Sequence, residues 1–156
     1  MAHAQRLGKI RMKHNRFIIT RYGKDGQPTG KSTEWKIKEK SNVPRELFYK
    51  IKGFLERSIR QSGTKSIESV MKAGWVALNE VGKAFGCEIR DSSKLADLYW
   101  WSDGHRFVAW QIHESSLDER RVRKLEKSKA LLRIAVVMKK GGHFEIKPQQ
   151  TRLAQE

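Results

Sequence analysis

Leu131-Leu132-Arg133-Ile134-Ala135-Val136-Val137-Met138 is the most apolar run of this chain, and its β-branched residues predict a strand. No apolar run approaches the roughly 20 residues that a membrane-crossing helix needs. Lys139-Lys140-Gly141-Gly142 then turns the chain into His143-Phe144-Glu145-Ile146-Lys147, which makes a hairpin. The strongest helical signal lies upstream. Ser41 and Asn42 are good cap residues, Pro44 suits a first turn, and Leu47, Phe48, Ile51, Leu55 and Ile59 recur at helical spacing. This pattern predicts a helix over 44–62, ended by Gly63, whose opposite face carries Arg45, Lys50, Lys52, Arg57 and Arg60.

The other elements follow from shorter signals. Arg16–Tyr22 is β-branched and aromatic and runs into an Asp25-Gly26 turn. Thr33–Lys40 alternates, with Trp35 and Ile37 on one face and Lys36, Lys38 and Lys40 on the other. Lys65–Met71 reads as a short strand. Ala77, Leu78, Val81 and Phe85 mark a second helix that closes at Gly86, and Gly82 inside it signals close packing. An aromatic cluster, Leu98 to Trp101, closes on a turn at Ser102-Asp103-Gly104, and His105–Glu114 alternates as a strand. Leu117–Lys129 is charged in both signs, so it is either a short exposed helix or a projecting loop that adds little to a core.

The resulting order is strand, strand, helix, strand, helix, strand, strand, strand. It predicts an α+β two-layer sandwich: a mixed or antiparallel sheet with two helices on one face, and a core order β-α-β-α-β-β with extra N- and C-terminal strands. Residues 1–14 read as a flexible basic arm, 15–148 as a single domain and 149–156 as a disordered tail. With 38% hydrophobic residues in 156, the chain can bury a core. The N-terminus lacks the apolar stretch of a signal peptide, so an intracellular protein is expected, without a membrane partner. One cysteine, Cys87, forbids an internal disulfide, and the scattered histidines offer no zinc spacing.

Charge sets the functional expectation. Lys and Arg number 33 against 17 Asp and Glu, a formal net charge of +16. That exceeds the magnitude of about 2–8 that keeps a small domain soluble, and it points to a polyanionic partner, DNA or RNA, held through phosphate contacts. Residues 1–65 hold 17 of the cations and 5 of the acids, a balance of +12, so the excess lies in the first half.

Val70-Met71-Lys72-Ala73-Gly74-Trp75-Val76-Ala77-Leu78 resembles the stretch of the Alba family of small basic DNA- and RNA-binding proteins in which a strand enters the second helix through a glycine, here one place early. A long basic element before Leu132–Val137 is similar to that family's extended hairpin, whose arms follow the minor groove. The likeness covers roughly residues 33–139; the first strand, the Trp-rich segment 99–110 and the last strand have no counterpart. The resemblance implies nucleic-acid binding through Lys40 and Arg45 in the loop before the first helix, and through Arg106, Arg120, Arg121 and Arg123 in the hairpin.

Two other chemistries compete for the same residues. Asp25 with Glu34-x-Lys36 imitates the spacing of Mg²⁺-dependent nucleases, in which two carboxylates hold the metal and a lysine steadies developing charge. Asp25 in a glycine-flanked turn is poorly placed for such a ligand. His105 beside Asp103, and His113 beside Glu114, are neighbours that point to opposite faces and cannot act together. No nucleophile elbow or phosphate-binding glycine loop is present. Tyr99, Trp100 and Trp101 are candidates for stacking on unpaired bases, although Trp100 and Trp101 cannot both point inward from one extended segment.

The sequence thus predicts non-enzymatic binding of the nucleic-acid backbone with little sequence preference. The positive surface comprises Lys36, Lys38, Lys40, Arg45, Lys72, Arg106, Arg120, Arg121, Arg123 and Lys124, with no cofactor and no metal. An exposed tryptophan that touches no nucleic acid would instead serve a protein contact, in a homodimer or as an interaction subunit of a nucleoprotein complex.

Overall fold

The structure, a computed structural model, describes residues 7–13, 16–36, 43, 45–62, 66–91, 94–102 and 104–149. The first three strands, β1 (Gly8–Lys13), β2 (Arg16–Tyr22) and β3 (Pro28–Lys36), form an antiparallel meander. Two successive helices follow, α1 (Arg45–Ser62) and α2 (Ile67–Ala84). The second sheet is mixed, in the order β4 (Glu88–Asp91), β5 (Leu98–Ser102), β6 (His105–Glu114), β7 (Leu132–Met138) and β8 (Phe144–Pro148). Among the described residues its one parallel pair is β6 with β7, joined by a crossover that carries helix α3 (Glu119–Glu126). The α+β class is as expected. Among the described residues, no helix is long and apolar enough to cross a membrane.

Three local expectations are corrected. The first is the strand over 65–71, which is the first turns of α2: Ser66 caps it, its hydroxyl accepting from the Ser69 N–H at 3.3 Å, and Val70, Ala73, Ala77, Leu78 and Val81 are buried at helical spacing. A short window containing Ile67 and Val70 fits periods of 2 and 3.6 alike, and only the downstream residues resolve it. The order β-α-β-α-β-β therefore does not occur. Second, the basic arm is in part a strand. β1 pairs with β2, buries Ile10, and is tied to the end of α2 where Leu7 N–H donates to Ala84 O and Ile10 N–H to Phe85 O. Lys9 and Arg11 hid that alternation behind charge. Residues 1–6 and 150–156 lie outside the described residues. Third, the expected two layers gain a third, because α3 covers the second face of the five-stranded sheet.

Sheet and helices are complementary in size. Leu98, Trp100, Trp110, Ile112, Ile134 and Val136 face α1 and α2, and Leu47, Ile51 and Leu55 of α1 close the same core. α2 meets Trp100 with a glycine. A Cβ on Gly82 would stand 2.7 Å from Trp100 Nε1 and would also strike Ile89 Cδ1, so only glycine admits the indole, as the sequence signalled. The ring centroids of Trp100 and Trp110 lie 5.0 Å apart. The meander is fastened to α1 by a bidentate pair, Arg21 Nε to Glu46 Oε1 at 2.9 Å and Nη2 to Oε2 at 2.6 Å. This guanidinium holds the Glu46 carboxyl below its ordinary range.

Gly82→Ala is expected to destabilise the protein by about 1–3 kcal/mol through overpacking, less the roughly 1 kcal/mol that alanine adds to a helix interior. Gly53→Ala in α1, where a Cβ meets nothing within 4 Å, is expected to stabilise by about 0.5–1 kcal/mol. Urea unfolding of both variants checks the pair; equal effects would contradict the packing at Gly82.

Candidate nucleic-acid interface

A strand residue faces opposite its neighbours, so the second face of the sheet is read directly from the register. Arg90, Tyr99, Ala109 and Arg133 pair in one row across β4, β5, β6 and β7, and Gln111 and His113 continue along β6. Leu125 of α3 is buried over this row with Tyr99, Ala109 and Ala130. The segment expected to contribute little to a core therefore supplies the cover of the second face.

Polar groups from the sheet grip α3 at both ends. At its N-terminus, Asp118 is the cap: Oδ1 accepts from Arg120 N–H at 3.0 Å and Arg121 N–H at 3.3 Å. These bonds, the one from Arg121 first, hold the Asp118 carboxyl below its ordinary range. Asp118 N–H in turn donates to His113 Nδ1 at 3.0 Å, so the ring proton sits on Nε2, which faces Gln111 Oε1 at 2.9 Å. Gln111 Nε2 donates to the carbonyls of Leu95, at 3.2 Å, and Arg121. Arg121 turns inward, pairing with Asp97 through Nη2 and donating Nη1 to Ile112 O at 2.7 Å, while Asp97 Oδ2 also accepts from Ile112 N–H at 2.9 Å. At the C-terminal end, Arg133 Nη1 donates to Glu126 O, where a cation also meets the negative end of the helix dipole. Burial pulls the Arg133 guanidinium below its ordinary pKa.

With Leu125 and Arg121 turned inward, the other side of α3 faces water. Arg120, Arg123, Lys124 and the capping Lys127 are exposed, and at 3.6 residues per turn they fall within an arc of about 100° along about 10 Å of axis. None of the four forms an ion pair among the described residues. Lys129 is exposed just beyond, and Leu131 N–H donates to Arg106 O, which brings the exit of α3 to the start of β6.

A second basic group stands there. Phe107 is an extra residue in β6, since Trp101 pairs with Arg106 and Trp100 with Val108. Trp100 belongs to the helix-side core, and the partly exposed Trp101 packs on the α3 side. The Arg90 guanidinium lies 4.0 Å from the Trp101 ring centroid, and that of Arg106 lies 5.5 Å from it and 5.0 Å from the Tyr99 ring.

The sequence-predicted site residues fall into separate groups. Arg120, Arg123 and Lys124 lie together on the exposed side of α3, and Arg106 stands on the same side of the sheet beside Tyr99 and Trp101. Arg121 belongs to the same neighbourhood but is paired with Asp97 at the seam between α3 and the sheet, its side chain 32% exposed. Arg45 and Lys72 are on α1 and α2, across the sheet from α3, and join no common strip with the rest. Lys38 and Lys40 lie outside the described residues, as does the side chain of Lys36. Two stacking candidates are corrected: Tyr99 is 2% exposed and Trp100 fully covered, so neither ring reaches a ligand, and only Trp101 remains.

The nuclease trio is also separated by the fold. Asp25 sits in the hairpin turn, its Oδ1 accepting from Gln27 N–H at 3.0 Å. Glu34 pairs with Ile18, six residues along β3 from the closing pair Tyr22–Pro28. At about 3.3 Å per residue this is roughly 20 Å, too far to share one ion. Among the described residues, no three His, Cys, Asp or Glu side chains group as metal ligands.

Sequence reasoning missed Arg90, Asp97, Gln111, Lys127 and Arg133. The spacing 120, 123, 124, 127 was the available signal for the stripe. The two segments that resembled the Alba pattern take other forms here: Val70–Ala73 is helical, and the basic element before Leu132 is a helical crossover between parallel strands, not a hairpin.

Burial first, and Arg121 second, lower the pKa of His113, while Asp97 and Asp118 act in the opposite direction more weakly. A depressed folded-state pKa means that the neutral ring stabilises the fold above the unfolded value, about 6.5. This contribution is lost as pH falls through the folded-state value, where a charged ring would set two N–H donors against each other at Asp118. Chemical unfolding is expected to show a stability loss from pH 7.5 to 5 that is smaller in His113→Asn, which itself costs about 1–3 kcal/mol at neutral pH. An unchanged pH dependence in the variant would refute the assignment.

No family model, curated protein or solved structure matches the chain, so the geometry alone carries the functional reading.

Proposed function

We propose that this protein binds nucleic acid through its phosphate backbone, with little sequence preference, and that the α3 face is the contact surface. The observation that supports this reading best is the stripe Arg120, Arg123, Lys124 and Lys127. Four cations share one side of a helix whose other side is clamped to the sheet by buried polar groups. Charge needed for solubility alone requires no such mounting, whereas a row of cations that form no ion pair among the described residues, on a helix held in one place, meets a row of phosphates without first ordering its backbone. The carboxylates of Glu119 and Glu126 lie to one side of the stripe, so the field along it stays positive. Lys and Arg on this face meet phosphates whatever the sequence, so the backbone supplies the affinity.

Binding to DNA and RNA oligonucleotides, measured by gel shift at several salt concentrations with and without Mg²⁺, tests this. Affinity is expected to fall steeply with salt. Replacing the four stripe residues by alanine is expected to reduce the slope of log K against log[salt] by roughly 3–3.5, since each neutralised phosphate adds about 0.7–0.9 to that slope. Arg45→Ala with Lys72→Ala, on the far side of the sheet, is expected to change it little. Absence of binding at modest salt would remove the reading and leave the basic face for an acidic protein partner.

A further inference from the structure

We infer that Trp101, with Arg90 and Arg106, forms a site for an unpaired base, so that the nucleic acid bound is single-stranded. This rests on the nucleic-acid reading above and adds the class of substrate to it. The β5–β6 pairing is the first ground. Strand alternation separates Trp101 from Trp100, which fills the core with Trp110, and the extra residue Phe107 turns Arg106 onto the face of the partly exposed Trp101. Second, Trp101 Nε1 is buried and, among the described residues, without an acceptor, so any part of the indole that reaches solvent is ring carbon. Such a surface offers no hydrogen bond to water or to a base edge, and the ring face that carries Arg90 is a π surface on which any base can stack.

Two guanidinium groups flank that surface, Arg90 at 4.0 Å and Arg106 at 5.5 Å from the ring centroid. Guanidinium planes stack on bases as indoles do, so a base entering beside Trp101 meets a stacking partner in Arg90 as well. The ion pair that holds Arg90, to Glu88 at 3.1 Å, lies between exposed side chains and opposes its movement weakly. Phosphates on either side of the base find Lys127 and Lys129, which the Leu131–Arg106 backbone bond brings to this end of the sheet. In a duplex the bases are stacked and paired inside, where a half-covered ring on a sheet cannot reach them. A single strand has no such barrier.

The experiment uses the whole chain and three probes of equal phosphate number: a single-stranded oligonucleotide, the same strand carrying abasic sites, and a duplex. Fluorescence anisotropy gives each Kd for the wild type, Trp101→Leu and Trp101→Phe. The wild type is expected to bind the intact single strand roughly tenfold more tightly than the abasic strand, the scale of one stacked base. Trp101→Leu is expected to lose that difference while keeping its affinity for the abasic strand, and Trp101→Phe to retain most of it. Equal wild-type affinity for intact and abasic strands overturns this inference. If that binding is still salt-steep, backbone recognition stands and only the base site falls; if no probe binds, both fall. The wild-type comparison decides without any variant, so a fold defect in Trp101→Leu does not blur the result.

Discussion

The parallel pairing of β6 with β7 imposes the constraint from which the rest follows. Two parallel neighbours need a crossover, and this one passes over the face of the sheet opposite α1 and α2. A short, highly charged helix is a poor cover for a sheet, having only Leu125 fully buried. The remaining attachment comes from Gln111, His113 and Arg133, polar residues nearly buried on strands where apolar ones would be expected. Buried polar groups are costly unless paired, and here each of the three side chains makes a hydrogen bond to the crossover, although Arg133 Nε has no partner among the described residues. Such pairing fixes α3 in one position, because sliding the helix would leave several donors unmatched at once.

The two faces of the sheet thus use different physics. Towards α1 and α2 the contact is steric, with large rings on the strands and glycine on the helix, and it tolerates no added methyl at Gly82. Towards α3 the contact is directional, made of hydrogen bonds and the partly exposed Arg121–Asp97 ion pair. The apolar face supplies the stability of a core, and the polar face supplies orientation. Mounting cations on the oriented element gives the α3 surface its character, whereas the cations of α1 and α2 ride on helices held by shape.

Much of the fold was legible in the sequence where one pattern dominated. The apolar spacing of α1, the Leu131–Met138 strand with its hairpin, the alternation of β6 and the packing role of Gly82 all express local rules that a short window contains. Legibility failed where a window held two patterns. Lys65–Met71 fits strand and helix alike, and β1 carries alternation beneath basic residues. Alternation alone puts Trp100 and Trp101 on opposite faces, but it does not say which face the two long helices cover, and no local pattern announces the bulge at Phe107 that brings Arg106 to the side of Trp101.

The candidate site shows the same division. Net charge by itself determined that the chain carries more cations than solubility requires, and the periodicities by themselves determined that helices cover a sheet. Which cations act together was decided only in three dimensions. Lys72 and Arg106 are both basic and both close to apolar residues in sequence, yet the sheet stands between them. Arg121 sits among the cations of α3 in sequence, but the helix turns it inward to Asp97. The physical reason is that charge is a property of a residue, whereas a field belongs to an arrangement. The arrangement was set by long-range pairings, β6 with β7 and sheet with α3, that are invisible from any single stretch of chain.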